Sequence, residues 1–477
     1  MKKPFLFLFF CLAILYSLGA QDLRERILFD EDWRFAFGNA SSPEKDFGCG
    51  TEYFNYLTKA ASIHNEGPYS DKFDASGWKR VDLPHDWVVD LPFDGKASHS
   101  HGYKTVGYRY PETSVGWYRK TFSIPQADLG RHISIRFDGI FRDARVWVNG
   151  FYLGHEPSGY ATQEYDITDY LNYGGENLVC VRVDATLEEG WFYEGAGIYR
   201  HVWLNKMDKL HVAPFGTFVH SALEAPFDKA ALTVETTVKN SSEQSMSYTL
   251  RHILRDADGR EVARCEVDGT RLLPRENGRT VGSMEINNPH LWSTETPYLY
   301  KVETEVYCEG RLTDTYTTTT GIRHMAFDAD RGFLLNGQPL KLKGVNMHQD
   351  HPGVGSGIPD ALQAYRIREL KKLGCNAYRA SHNPMTPEML DVCDREGILV
   401  IEENRLTGIN QEHIGLLRRM IERDRNHPSL LIWTPTNEEF WPDRIQYPRL
   451  MHDLYNLTKM IDPTRPFHGA SGGVHIA

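Results

Sequence analysis

Residues 376–404 read NAYRASHNPMTPEMLDVCDREGILVIEEN, and their rhythm decides the fold. An apolar strand is predicted over 376–381. Thr386-Pro387-Glu388 then starts a helix: the threonine caps it, and the proline takes the first turn, where its missing N–H leaves nothing unpaired. Gly397 ends the helix, because glycine enters the left-handed C-terminal position without steric cost. Ile398-Leu399-Val400-Ile401 is a second, nearly all-apolar strand. Strands with apolar bodies separated by a helix imply a parallel sheet buried on both faces.

The same alternation extends both ways. Residues 342–346 form a strand, and Asp360 is predicted to cap a helix over 361–373, with Gln363 at its third position and Gly374 closing it. A helix is predicted over 410–423, a strand over 430–433, a helix over 447–461 and the start of a fifth strand over 465–469. Repeated single strand–helix units favour a TIM barrel, which takes about 250 residues. Residues 326–477 number only 152, so about half a barrel domain is expected there.

Upstream the pattern is β. Ile133-Ser134-Ile135-Arg136-Phe137 and Ala144-Arg145-Val146-Trp147-Val148 alternate, and Asn149-Gly150 signals a tight type I′ hairpin. A jelly-roll sandwich is expected over 21–209. Longer alternating runs at 232–239, 248–254 and 300–307, with a turn at Asp256-Ala257-Asp258-Gly259, suggest an immunoglobulin-like sandwich over 210–325. The first 20 residues have the pattern of a signal peptide: Lys2 and Lys3, an apolar run over 5–16, then small residues. The run is short for a membrane span, and Cys11 sits inside it rather than at its end. An exported protein, periplasmic or extracellular and without a membrane anchor, is expected.

The chain has 477 residues and a net charge of −11, which argues against a nucleic-acid partner. Aromatic residues make up 12%. Most are expected in the core, although such rings also stack on sugars. Seven cysteines, one of them Cys11, with no CxxC pair, form neither a disulfide framework nor a zinc ribbon. The others are read as small buried side chains.

Barrel chemistry gathers where strands end. These ends read Asn346-Met347-His348-Gln349-Asp350-His351, Arg379-Ala380-Ser381-His382-Asn383-Pro384, Glu402-Glu403-Asn404-Arg405 and Thr436-Asn437-Glu438-Glu439. Glu438 is the sharpest candidate. In a partly dry pocket its carboxyl group would stay protonated and could donate a proton. Asn437 could hydrogen-bond a sugar hydroxyl, and Glu439 is read as solvated or supporting. Arg379 is expected to orient a rim carboxylate. Trp433 is read as core rather than sugar platform. His348, His351 and His382 could hold zinc, but the loop is irregular and no HExxH is present, so hydrogen bonding to a hydroxylated ligand is preferred.

Several of these runs resemble family 2 of the glycoside hydrolases, particularly its β-galactosidase-like branch. The barrel matches are 342–352, 376–384 and 423–429 with Trp433 and Asn437-Glu438. Leu83-Pro84-His85-Asp86-Trp87, Gly116-Trp117-Tyr118-Arg119-Lys120 and Gly195-Ala196-Gly197-Ile198-Tyr199-Arg200 are similar to its sugar-binding domain. Asn288-Pro289-His290-Leu291-Trp292 and Pro297-Tyr298-Leu299-Tyr300 are similar to its middle domain.

The resemblance implies retaining hydrolysis of β-glycosides by two carboxylates about 5–5.5 Å apart. Glu438 would be the general acid/base. Asn437, His348, His382 and Asn346 would bind substrate, and Arg379 and Glu403 would support the site. The substrate implied is a β-galactoside oligosaccharide or polysaccharide, with no cofactor and no metal. β-Glucuronidase, β-mannosidase, a non-catalytic carbohydrate-binding protein and a zinc hydrolase are the competing readings. The family nucleophile lies on the seventh barrel strand, past Ala477, so none of these residues takes that role and the chain as it stands is expected to be inactive. The family usually has glycine where this chain has Thr436, which raises a question about the geometry of that loop.

Overall fold

The computed structural model describes residues 23–49, 67–190, 192–438 and 445–469. The leader-like segment, Glu439 and the last eight residues lie outside the described residues. Two sheets of four and six antiparallel strands form the first sandwich. Its core includes Trp33, Tyr118, Ile135, Phe137, Val146 and Val181, all at most 1% exposed. The predicted hairpin is present: Asn149 and Gly150, with φ of 50° and 80°, join strands Ala144–Val148 and Phe151–Glu156. The next sandwich packs a three-stranded sheet on a four-stranded one. Its strand Lys229–Asn240 alternates buried and open residues along its length.

The third part is a parallel sheet of four strands, β1 (Gly344–Met347), β2 (Ala377–Ala380), β3 (Leu399–Glu403) and β4 (Leu430–Thr434). The helices α1 (Asp360–Lys372), α2 (Pro387–Glu396), α3 (Gln411–Asp424) and α4 (Gln446–Ile461) alternate with them. This is part of a barrel wall and not a closed barrel. Thr386 caps α2 by accepting from the Met389 N–H at 3.2 Å, and Gly397 ends it at φ 69°.

Three expectations need correction. Asp360 is the first residue of α1 and not its cap, which is Pro359. Its carboxylate is instead engaged by His201 of the first sandwich at 3.1 Å. The third strand runs two residues further than expected, so Glu402 and Glu403 lie inside it. Around 465–469 there is no strand, only an isolated parallel bridge between Trp433 and Phe467.

The aromatic residues are largely structural: Trp33, Trp117, Trp147, Trp292 and Trp433 are fully buried. Trp433 donates its indole N–H to Asp462 at 2.7 Å, which places it in the core as read. The six cysteines among the described residues are all free.

The domains are tied at several points. Asn426 donates to the Thr217 carbonyl and accepts from the Val219 N–H, at 2.7 and 2.8 Å. Arg200 reaches the Pro384 carbonyl at 2.6 Å. His201 bridges Asp30 at 2.5 Å and Asp360 at 3.1 Å. Burial would lower the His201 pKa, but the bonds to these two carboxylates outweigh it and raise it from 6.5 to about 10. A group whose folded pKa is raised contributes stability below its unfolded pKa and loses it as pH rises through the folded value. The melting temperature advantage of the unsubstituted protein over His201→Gln is therefore expected to be full below pH 6.5 and to shrink as pH rises towards 10. An advantage that stays constant across that range would mean that His201 acts by packing alone.

Candidate active site

The site is built on the carboxyl ends of β2, β3 and β4. Side chains alternate along a strand, so neighbours in sequence face opposite ways. Glu402 and Glu403 demonstrate this: both are fully buried, on opposite sides of the sheet. Glu402 enters the layer between sheet and helices, where it accepts from the Met385 N–H at 2.7 Å. Burial and nearby Asp424 raise its pKa to about 8, against the pull of Arg423. Glu403 faces Arg379 at 2.5 Å and His382 at 2.8 Å. Burial raises its pKa, while the His382 hydrogen bond and the Arg379 charge lower it.

Arg379 also donates to the side-chain Oδ1 of Asn437 at 2.7 Å. This leaves the Asn437 amide nitrogen buried with no protein partner among the described residues. A buried unpaired donor costs about 1–3 kcal/mol, which an oxygen-bearing ligand would recover. Asn346 pairs in register with Arg379 on the neighbouring outer strand, and it is exposed.

His348 is half-buried, and its ring meets that of His382 edge-on, with centroids 5.3 Å apart. Burial and the charge of His382 lower the His348 pKa. Arg366 of α1 holds the loop by donating to the His348 and Gln349 carbonyls at 2.6 and 2.9 Å. His351 turns away, with its Nδ1 2.9 Å from the Pro352 carbonyl. The three histidines therefore do not converge. Among the described residues, the groupings with metal-ligand proximity are His201–Asp360–Glu388 and Asp391–Asp394–His427. In these groupings His201 pairs with Asp360 at 3.1 Å and His427 with Asp394 at 2.6 Å.

Glu438 is exposed, whereas a partly dry pocket was expected. The Thr436 question resolves at a different residue. Thr436 is buried without a positive φ, and the left-handed position is Glu438 itself, at φ 50°. A β-branched residue is therefore tolerated at 436. Glutamate at φ 50° is an uncommon conformation that turns the chain immediately after Asn437.

Sequence reasoning missed Arg366, Gln349 and Asp86 as positioning residues. Gln349 Oε1 accepts from Arg200 and Asn383 at 3.1 and 3.2 Å, linking two rim loops to the first sandwich. Asp86 is buried and accepts from the N–H groups of Val88, Ala196 and Ser356 at 2.9–3.0 Å. Burial pushes its pKa to about 6. Among these, Asp86 and Gln349 had a signal in the sequence, as parts of the motifs at 83–87 and 342–352, and Arg366 had none. The run 423–429 proves architectural: Arg423 pairs with Asp424 at 2.6 Å, and His427 pairs with Asp394 at 2.6 Å.

Comparisons with known proteins agree with this arrangement. The family model for the sugar binding domain of glycosyl hydrolases family 2 matches residues 104–208. That for glycosyl hydrolases family 2 matches 211–323, and that for the family's TIM barrel domain matches 329–415 and 409–475. The chain is 37% identical over 435 residues to beta-galactosidase BoGH2A of Bacteroides ovatus, covering 88% of this chain and 47% of that protein. It is 32% identical to a putative beta-glucuronidase of Formosa agariphila, covering 84% and 38%. A solved structure of a family 2 member from Bacteroides cellulosilyticus superposes with a TM-score of 0.82 at 32% identity, covering 94% of this chain and 56% of that one. The chain thus spans about half the length of the relatives it matches.

Proposed function

Because the chain belongs to glycosyl hydrolase family 2, we propose that it carries the acid/base half of an exported, retaining β-galactosidase that degrades galactose-containing oligosaccharides or polysaccharides. The observation that carries this reading is the connected set Glu403–Arg379–Asn437 ending at Glu438. Arg379 is anchored by a buried carboxylate and fixes Asn437, whose free amide N–H groups are presented to a sugar hydroxyl. The turn at Glu438 then sets its carboxyl group beside that sugar, where it protonates the departing oxygen. After the glycosyl-enzyme forms, the same group as carboxylate takes a proton from the attacking water. The attacking carboxylate belongs to the family's seventh barrel strand, and the proposal concerns a protein with the whole barrel.

A neutral sugar is favoured over a uronic acid on charge. The Arg379 cation is already paired with Glu403, and His348 is held towards its neutral form. The runner-up is a β-glucuronide, favoured by relatives that carry that name. The deciding experiment compares nitrophenyl β-galactoside with nitrophenyl β-glucuronide on the protein carrying the whole barrel. The galactoside is expected to have the higher kcat/KM, and a preference for the glucuronide would overturn the sugar assignment.

A further inference from the structure

The described parts of the loop after the ninth strand of the first sandwich, residues 186–190 and 192–194, lie across the barrel rim. Arg405, just past β3, donates to the Glu189 carbonyl. Ser356 donates its hydroxyl to the Glu194 carbonyl at 3.0 Å. His348, just past β1, hydrogen-bonds the Phe192 backbone. The loop is braced from within as well: Glu194 accepts from the Glu189 N–H at 2.7 Å, and Tyr193 donates to Asp86 at 3.1 Å. Backbone and polar groups therefore do the docking. The ring of Phe192 is left 43% exposed, next to His99 at 5.3 Å between centroids. His99 in turn meets Tyr103, itself 44% exposed, at 5.8 Å.

Burying a phenylalanine side chain is favourable, and a loop that served only to join two domains would be expected to turn Phe192 inward. Here the Phe192 ring stays open on a residue whose backbone His348 hydrogen-bonds, and His348 is in ring contact with His382. We propose that Phe192, backed by His99 and Tyr103, is a stacking platform for a second hexose ring of the substrate. For a terminal galactoside that ring is the leaving-group sugar. The platform rests on the galactosidase reading above. It extends that reading by assigning the first sandwich a direct part in choosing oligosaccharides over single sugars. The apolar face of a pyranose ring and an aromatic ring exclude water from each other without directional bonds. Such a site therefore tolerates several leaving-group sugars, while the hydrogen-bonding rim selects the cleaved one.

The test uses the protein carrying the whole barrel, with two substrates: a β-galactosyl disaccharide and β-galactosyl fluoride, whose leaving group is too small to reach the platform. Phe192→Ala is expected to lower the ratio of kcat/KM for the disaccharide to that for the fluoride by up to about tenfold, chiefly through KM. Phe192→Trp is expected to restore the ratio. An unchanged ratio in Phe192→Ala, or one that Phe192→Trp fails to restore, overturns the platform. If the unsubstituted protein cleaves β-glucuronides in place of galactosides, the sugar assignment fails separately. The platform is then decided by the same ratio on the matching glucuronide pair.

Discussion

Glu438→Gln in the protein carrying the whole barrel is expected to lower kcat by about 10²–10⁴-fold on substrates whose leaving group needs a proton. Glutamine keeps the size and the hydrogen-bonding reach of glutamate but offers no acidic proton. The turn at φ 50° is open to either residue, and the side chain is exposed, so folding is expected to be unaffected. For dinitrophenyl glycosides, whose leaving group departs without protonation, the step that forms the glycosyl-enzyme is expected to slow far less. Its hydrolysis, which needs the same residue as base, then limits turnover, and a burst of dinitrophenol should precede a slow steady state. Measuring kcat/KM, which reports formation of the glycosyl-enzyme, across leaving groups of graded acidity checks this. Equal loss of kcat/KM for alkyl and dinitrophenyl leaving groups would remove Glu438 from the acid role.

Arg379→Leu in the protein carrying the whole barrel is expected to cost both stability and activity. It leaves Glu403 fully buried with its closest cationic partner removed, His382 remaining in hydrogen-bond contact at 2.8 Å. Breaking a buried pair by removing one partner typically destabilises by about 3–5 kcal/mol. Some of that is relieved if Glu403 takes up a proton, and its pKa is already raised by burial. A raised carboxyl pKa makes stability fall as pH rises through the folded value, so the destabilisation of Arg379→Leu should be smaller at pH 5 than at pH 8. The double variant Arg379→Leu/Glu403→Leu removes both charges, and it should recover much of the stability while remaining inactive, because Asn437 loses its anchor in both. Urea unfolding at the two pH values, with kcat/KM alongside, separates the contributions. Full activity in a stable double variant would show that the Arg379–Glu403 pair serves folding alone.

The sequence by itself determined the order of architectures and most of the barrel elements. Periodicity and end signals are local: Thr386, Pro387 and Gly397 bound α2 as read, and Asn149-Gly150 makes its hairpin wherever the sandwich packs. It also placed Asn437, Glu438, Arg379 and His382 at strand ends, since in a parallel barrel wall all strand ends share one rim.

Tertiary structure alone decided how these groups meet. A strand extended by two residues sends Glu402 and Glu403 to opposite faces, and the partners that distinguish them, Arg423 and Arg379, come from other elements. Asp360 resembled a helix cap until His201, 159 positions away, engaged its carboxylate. The openness of Glu438, the bracing of the rim by Arg200 and Arg366, and the exposed ring of Phe192 all depend on contacts between distant segments. Burial and electrostatic pairing are set by which surfaces face each other after folding, and no local pattern in a single chain encodes that.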